Sequence, residues 1–502
     1  MKLARMFREN ALRSPEDVFL CAAGVRMDYA SALKRVVEIS GALAEAGFAP
    51  GSVVGLAVSS PLSFVTYFLG LQEAGLVPLL LNMRAGRDEM HKIVSTAGIN
   101  VIISDCIRDG GAAEEPVSYF CPDAPDVKEK LPSSPMLSDG TIFLLTTSGT
   151  GGNPKIVKKK DDPVFMQSEM LFPKIEGPRQ GKLRYFVNVP LWHSYGIEFA
   201  LFGAIYNGAE LHAADFSFAE SAMKYIRAEG ITHVFSVPPF IAALTGYAVA
   251  IGCDVFSELE MVISAGMRIP PRTSRAFFEA FGFNISSVYG ITEVGCVAFR
   301  PSKKTGEKAY EDNNVGFALA GNTIAVRPCP GDDGAIGRGM IVIEKRVPDG
   351  GYYAGASGDC LEKWSADLRT FVTDDIGYLD GEGSLHLLGR NAAYINVGGE
   401  KINSFDVENA LRETNLVREA IVWAGADDIL GERILAAVVL EPGIAITGDV
   451  LREKCIGSLP MIKVPREIAV FENPFPKTAT GKIRFDEVVR EFNRLTERKD
   501  AR

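Results

Sequence analysis

Histidine and tryptophan are scarce in this chain, with five and three copies in 502 residues. The histidines, at 91, 193, 212, 233 and 386, fall at no metal-ligand spacing. The eight cysteines (21, 106, 121, 253, 296, 329, 360 and 455) include no Cys-x-x-Cys pair. That excludes a zinc ribbon or a thioredoxin-type motif and fits free thiols in a reducing compartment. A basic excess is missing too: 53 Lys and Arg stand against 63 Asp and Glu, a formal charge of -10. A nucleic-acid binder would show a basic stripe, so that class is set aside. The longest apolar stretch, 64–81, is interrupted by Gln72, Glu73 and Gly75 and is too broken to span a bilayer. The first residues, Met1-Lys2-Leu3-Ala4-Arg5 with Glu9 and Asn10 close behind, lack the apolar core of a signal peptide. A cytoplasmic chain without a transmembrane segment is the expectation. No repeat of 20–50 residues recurs.

What is present is an ordinary globular composition, 47% apolar and 23% charged, over a length that calls for two to four domains or subdomains. Through the first 135 residues helix and strand patterns alternate. Apolar residues at 32, 33, 36, 37, 39 and 43 predict a helix over 29–46, stopped by Gly47. Strands are expected at 53–58, 76–81 and 101–104, with helices at 61–74 and 88–97 between them. The same rhythm returns over 184–289, with strands at 184–189, 210–212, 232–237, 262–264 and 285–289. Such alternation implies parallel sheets covered by helices on both faces. From about 310 the helices stop and short strands broken by Gly, Pro and Asp predict a small β-barrel. Residues 393–502 read as a compact α+β unit.

One stretch stands apart. Residues 141–155 open with an apolar run, Ile142 to Leu145, that reads as a buried strand. It breaks into Thr146, Thr147, Ser148, Gly149, Thr150, Gly151 and Gly152 and closes on Pro154-Lys155. Glycines let backbone N–H groups approach an anion closely, hydroxyls add donors, and a lysine at the rim adds charge. The chemistry suits a polyphosphate, although a Gly/Ser/Thr-rich loop is also a common linker. It is not a Walker A loop, which requires G-x-x-x-x-G-K-[ST]. A second stretch, Tyr289-Gly290-Ile291-Thr292-Glu293, sits at the carboxyl end of an expected strand, where open α/β sheets bind ligands. A carboxylate there suits Mg²⁺, which takes one or two carboxylates plus phosphate oxygens; the plain alternative is a helix cap.

These two stretches occur in order with Pro190-Leu191-Trp192-His193, with Thr373-Asp374-Asp375 and Gly389-Arg390, and with Pro476-Lys477-Thr478-Ala479-Thr480-Gly481-Lys482. Together they resemble AMP-forming acyl-CoA synthetases, members of the adenylating superfamily that includes luciferases and peptide-synthetase adenylation domains. The resemblance spans nearly the whole chain. It implies an α/β fold: a large N-terminal domain (1–388) of two doubly wound α/β subdomains (about 1–190 and 191–310) plus a small β-barrel (about 311–388). A hinge (389–392) and a mobile C-terminal α+β lid (393–502) follow.

The resemblance also implies roles. Thr147, Ser148, Gly149, Thr150, Gly151, Gly152 and Lys155 would hold the phosphates of ATP. Glu293 would be the Mg²⁺ ligand, Thr292 would contact the α-phosphate, and Tyr289 with Gly290 would pack on the adenine. Ala265, Gly266 and Met267 would close its other face. Asp375 and Arg390 would take the ribose hydroxyls. Lys482 would bridge the substrate carboxylate and the α-phosphate, and His193 would stand between ATP and the acid. Trp192, Val237 and Pro238 would line an uncharged acyl pocket, which argues for a fatty or aryl acid. Gly398, Gly399 and Glu400 would line the channel for the pantetheine of coenzyme A.

Three positions depart from the family pattern: Gly151 replaces a hydroxyl, Asp374 replaces a glycine, and Ala392 occupies the hinge position usually held by Asp or Lys. Carried through, the resemblance implies ATP, Mg²⁺ and coenzyme A as cofactors and AMP as product. An acyl-acyl carrier protein ligase is the alternative within enzymes, with the Lys155–Lys160 cluster as a contact for an acidic carrier, a solvated face or an aid to phosphate binding. A catalytically weak adenylate-binding module is the alternative from another class. The thiol acceptor, the acid, and the choice between monomer and homodimer stay open.

Overall fold

Ser60 and Pro61 show how local sequence sets up the core. The Ser60 side chain accepts from the Ser63 N–H and Pro61 occupies the first turn, so a helix, Pro61–Glu73, starts there. Its residues from Phe64 to Gln72 are all buried, the mark of a helix covered on every side. One apolar cluster surrounds it, drawing Val54, Leu56 and Phe143 from one sheet and Phe19, Tyr185, Leu211 and Phe235 from another.

The computed structural model describes residues 1–83, 85, 87–105, 117–123, 134–148, 154–176, 181–214, 216, 218–252, 258–267, 269–302, 313–328, 338–354, 359–390, 394–397, 400–427, 431–456, 460–477 and 483–500. They fold as two compact units: 1–325 with 342–372 and 380–386, and 326–341 with 373–379 and 387–502. The chain passes from one unit to the other inside strands Asn322–Arg327, Arg338–Lys345, Thr370–Leu379 and Leu385–Arg390, and again at the end of Thr370–Leu379.

In the first unit one sheet has seven strands. From edge to edge they are Tyr352–Ala354, Pro154–Lys160, Thr141–Ser148, Val77–Leu80, Val53–Ala57, Val101–Ser104 and Ser118–Phe120. The central strands are parallel, as the βαβ rhythm requires, and Thr141–Ser148 turns back on Pro154–Lys160 as an antiparallel hairpin. The other sheet runs, within this unit, through Asn314–Ala318, Gly295–Arg300, Ser286–Ile291, Met261–Ser264, His233–Ser236, Arg184–Val187, Glu210–Ala213, Val18–Ala22 and Val25–Asp28.

Two features differ from the sequence expectation. The first hairpin, Val18–Asp28, joins the sheet built from 184–300 by pairing with Glu210–Ala213, so the two α/β layers do not divide at residue 190. Strands expected in the barrel region are shared out: Asn314–Ala318 continues one sheet, and Tyr352–Ala354 adds an edge to the other. Helices Lys2–Arg13, Asp161–Glu176 and Phe485–Asp500 add to those expected. The second of these carries Pro173 inside and two aspartates at its start, which disguise its period.

In the second unit, Tyr394–Val397 and Glu400–Asn403 form a hairpin against Gly431–Leu440. That strand pairs in turn with Val417–Asp427 and with Glu467–Phe471. Alternation along Gly431–Leu440 supplies two cores: Ala436 and Val438 pack with Val407, Leu411 and Leu451, while Leu435 and Val439 pack with Val488 and Phe492.

Candidate active site

Four adjacent parallel strands carry the first row of site residues. Arg184–Val187, His233–Ser236, Met261–Ser264 and Ser286–Ile291 lie side by side in register, with Phe235 opposite Val187, Ser236 opposite Ser264, and Ser264 opposite Ser287. Their carboxyl ends lead into Trp192-His193, Val237-Pro238, Ala265-Gly266-Met267 and Thr292-Glu293. Adjacent strands about 4.8 Å apart therefore send all four segments out from the same end of the sheet. Arg184–Val187 has its next strand in sequence on one side and the one after on the other. It is thus a switch point, where open sheets leave a crevice for ligands.

Each segment is fixed locally. Ser236 Oγ donates to Asn188 Oδ1 at 2.6 Å, tying two strand ends together. Tyr195 Oη donates to the Ile263 carbonyl at 2.7 Å, and burial holds its hydroxyl far above the ordinary tyrosine pKa. The Tyr195 N–H points at His193 Nδ1, 3.2 Å away, which makes Nδ1 the acceptor and puts the proton of the neutral ring on Nε2. A π-helical turn, Gly196–Leu201, follows; such turns recur beside functional sites. Only glycine fits at its head, since a Cβ on Gly196 would lie 2.2 Å from the Pro190 carbonyl oxygen.

Thr292, Glu293 and Val294 form a three-residue turn between Ile291 and Gly295, which pair with each other. Gly295 adopts φ +76°, as the closing residue of such a hairpin does. A bulge between Tyr289 and Gly290 precedes the turn; bulges re-aim side chains beside sites. Tyr289 is buried, while Thr292 and Glu293 are half-buried. The turn is gripped from two sides. Lys345 Nζ donates to the Val294 carbonyl at 2.7 Å and is ion-paired with Asp349, both buried. Tyr352 Oη donates to Glu293 Oε1 at 3.2 Å.

Tyr352 also ties this turn to the hairpin of the seven-stranded sheet, because it pairs with Val157 on strand Pro154–Lys160. Two residues earlier on that strand is Lys155, paired with Thr147. Lys155 is 8% exposed, and among the described residues no ion pair or hydrogen bond engages its ammonium. The residue as a whole is thus largely buried on its strand. Gly149, Thr150, Gly151 and Gly152, and the side chain of Ser148, lie outside the described residues.

The lysine cluster that follows is not a solvated face. Lys158 Nζ stands 2.9 Å from Asp139, and Lys160 Nζ stands 4.0 Å from the same carboxylate. Lys159 turns inward and is ion-paired with Glu198. A charge thus lies next to the lining expected to be uncharged, since Glu198 belongs to the turn that follows His193. Among the described residues, no group of three or more His, Cys, Asp or Glu could hold a metal by itself. Glu293 offers one carboxylate, which fits Mg²⁺ held jointly with phosphate oxygens.

In the second unit, the Asp375 N–H donates to Thr373 Oγ1 at 3.0 Å, and Thr373 Oγ1 donates to the Ile341 carbonyl at 2.9 Å. Asp374 points to solvent and Asp375 is half-buried. Arg390 ends strand Leu385–Arg390, and Glu400 opens strand Glu400–Asn403 opposite Val397; their side chains lie outside the described residues. So do Ala392, Gly398, Gly399 and Lys482, the last bracketed by the pairing of Lys477 with Ile483.

Sequence reasoning passed over Tyr352, Lys345, Asp349 and Glu198. None carries a local motif, and only the β-pairing of Tyr352 with the Lys155 strand could have drawn attention to it.

Among the described residues no helix is long and apolar enough to cross a membrane. The chain is similar to a 4-chlorobenzoate–CoA ligase from an Arthrobacter species, 26% identical over 94% of this chain and 90% of the relative. It is also similar to a sulfoacetate–CoA ligase from Cupriavidus necator, 25% identical over 96% of both. The solved Bacillus subtilis O-succinylbenzoate coenzyme A synthetase, in complex with ATP and magnesium ion, has the same fold, with a TM-score of 0.80 at 21% identity over 96% of this chain and 99% of that one. The AMP-binding enzyme family matches residues 7–353, and the AMP-binding enzyme C-terminal domain matches 406–482. The chain belongs to the AMP-binding enzyme family of adenylate-forming enzymes.

Proposed function

We propose that the protein is an AMP-forming acid–CoA ligase that activates a fatty or aryl carboxylic acid with ATP and passes the acyl group to coenzyme A. The observation that carries the reading is Lys155. Lys155 is a largely buried residue that makes no ion pair among the described residues; it follows the Gly/Thr-rich stretch in sequence, and its strand is tied through Tyr352 to Glu293. A bound polyphosphate with its cation would supply what both lack.

In the first step a carboxylate oxygen attacks the α-phosphorus of ATP. The bond to the bridging oxygen breaks and pyrophosphate leaves with its electron pair, giving an acyl-adenylate. Lys155, Thr147, Ser148 and residues 149–152 hold the departing phosphates. Thr292 contacts the α-phosphate, and Glu293 would hold Mg²⁺, which neutralises phosphate charge when bound. Tyr289 and Gly290 pack on one face of the adenine and Ala265, Gly266 and Met267 on the other, while Asp375 and Arg390 take the ribose. Lys482 offsets the repulsion between two anions and orients them for attack. In the second step the CoA thiolate attacks the acyl carbon, AMP leaves, and Gly398, Gly399 and Glu400 line the thiol's path.

His193, Trp192, Val237 and Pro238 form the wall beside the acid. Their apolar character favours an aryl or fatty chain, although relatives include a ligase for the small anionic sulfoacetate. CoA is preferred to a carrier protein because Lys158 and Lys160 face Asp139 and Lys159 turns inward to Glu198, which leaves less free basic surface for an acidic carrier. A pyrophosphate-release screen over acids of graded length, aromaticity and charge, with and without CoA, tests the reading. Pyrophosphate without thioester would favour the carrier-protein reading; no pyrophosphate with any acid would reject the proposal and favour a catalytically weak adenylate-binding module.

A further inference from the structure

Lys159 and Glu198 keep 2% and 1% of their side chains exposed, and Nζ stands 2.9 Å from Oε1. Their surroundings are apolar. Lys159 pairs across the hairpin with Phe143, whose ring packs on Phe68 and Phe202. Buried ion pairs are often replaceable by apolar side chains of similar volume without loss of stability. Stability alone therefore does not account for the pair.

Three segments of the site meet at it. Lys159 lies on the face of strand Pro154–Lys160 that also carries Lys155, four positions and about 13 Å away. Glu198 lies on the π-helical turn, whose Ile197 N–H donates to the His193 carbonyl at 3.0 Å. Both oxygens of Glu198 are buried and neither has a hydrogen-bond partner of good geometry among the described residues, so Lys159 holds Oε1 by charge alone and nothing engages Oε2. It faces Gly295, where a Cβ would lie 3.2 Å from it and 2.1 Å from Gln167 Oε1. Gln167 Oε1 in turn accepts the Cys296 N–H at 2.7 Å. Gly295 closes the turn that bears Thr292 and Glu293. One ion pair thus joins the Lys155 strand to the His193 helix, and its free oxygen abuts the end of the Glu293 turn.

We infer that Lys159 and Glu198 are positioning residues that fix Lys155, His193 and the Thr292–Glu293 turn relative to one another for the adenylation step, an inference that rests on the ligase reading above. An attractive pair has a preferred separation, whereas apolar contacts slide. Displacements near 1 Å cost on the order of 10²-fold in rate when reacting groups must be aligned. The second step draws on other residues of the site and does not need this register.

The test uses the full chain with Glu198→Gln, Lys159→Met and the double variant, and Glu210→Gln as a comparison. Glu210 belongs to a different buried charge cluster, with Lys182 and Arg184. Melting temperature, MgATP affinity by calorimetry, ATP–pyrophosphate exchange, and thioester formation from supplied acyl-adenylate are measured for each. The double variant leaves no unpaired charge; it is expected to fold and to lose adenylation about 10- to 100-fold, with thioester formation within about threefold of the parent. Exchange at the parent rate in the double variant overturns the inference. So does an equal fall in both half-reactions matching that of Glu210→Gln at the same loss of melting temperature. Failure of the double variant to fold marks the pair as purely structural and overturns it too. If the parent protein itself releases no pyrophosphate with any acid, the ligase reading fails, and MgATP affinity then decides the positioning role. A tenfold weakening in the double variant upholds that role, and an unchanged affinity ends it.

Discussion

Tyr352 Oη and Glu293 Oε1 are 3.2 Å apart, and they join the edge strand of the seven-stranded sheet to the turn at the end of a strand in the other sheet. The bond fixes one oxygen of the only carboxylate on that turn. Removing the phenol in Tyr352→Phe costs a hydrogen bond worth about 0.5–1.5 kcal/mol and frees the carboxylate to rotate. The expected result is an adenylation rate that needs several-fold more Mg²⁺ for half-saturation, with the rate at saturating Mg²⁺ little changed. A Mg²⁺ titration of pyrophosphate release in both proteins decides it.

Glu293→Gln should act more strongly in the same assay, because an amide oxygen is a poorer ligand for a hard cation than a carboxylate. Both the Mg²⁺ requirement and the saturated rate should suffer. A titration curve that overlays the parent's would take Glu293 out of the metal's shell.

Lys482→Ala should lower adenylation by about 10²–10³-fold, the cost of an oriented charge aimed at the reacting phosphate. Thioester formation from supplied acyl-adenylate should survive, provided the C-terminal unit reorients between the half-reactions. Measuring the two half-reactions separately tests this; an equal loss in both would mean that one arrangement serves both steps.

Lys345 and Asp349 are buried together beneath the Val294 carbonyl. Asp349→Asn strands the ammonium, and breaking one side of a buried pair costs about 3–5 kcal/mol. Chemical denaturation should show a loss of that size. Lys345→Met with Asp349→Asn should recover part of it, since no buried charge is then left alone.

Glu210 governs an acid-range prediction. Burial by itself would raise its pKa, but contacts from His212, Lys182 and Arg184 outweigh it and hold the carboxyl at about 2, against 4.5 ordinarily. A depressed carboxyl stabilises the fold above its unfolded pKa, and that contribution disappears as the pH drops from about 4.5 toward 2. Glu210→Gln should therefore flatten the stability profile across this window and lower the plateau above it. Denaturation midpoints between pH 2 and 7 provide the measurement.

Patterns confined to one segment were legible in the sequence. Helices Pro238–Ile251 and Pro271–Phe281 begin on their prolines and end before Gly252 and Gly282, both at positive φ. The four strand ends bearing His193, Val237, Ala265 and Thr292 followed from the alternation of apolar runs and helices. What depends on distant partners was not legible. Lys155 to Lys160 reads as a charged surface, yet a strand sends alternate residues to opposite faces. The inward turn of Lys159 becomes intelligible only with Glu198, 39 positions later. Tyr352 gives no local hint of Glu293. The strand Val18–Ala22 has a plain β pattern, but nothing in it names Glu210–Ala213 as its neighbour.

That last pairing bears on how the chain is made. Leu20 pairs with Leu211, so during synthesis the first strand waits for about 190 further residues, roughly 10–40 s at typical ribosomal speeds. Phe19 and Leu20, fully buried at the end, spend that interval without their sheet. The hairpin strand carrying Lys155 waits about as long, until Tyr352 emerges to cover its edge. Long-range closure of this kind is slow and leaves sticky edges open to other chains. A ribosome stalled before residue 211 would present a nascent chain whose first strand has no sheet to join.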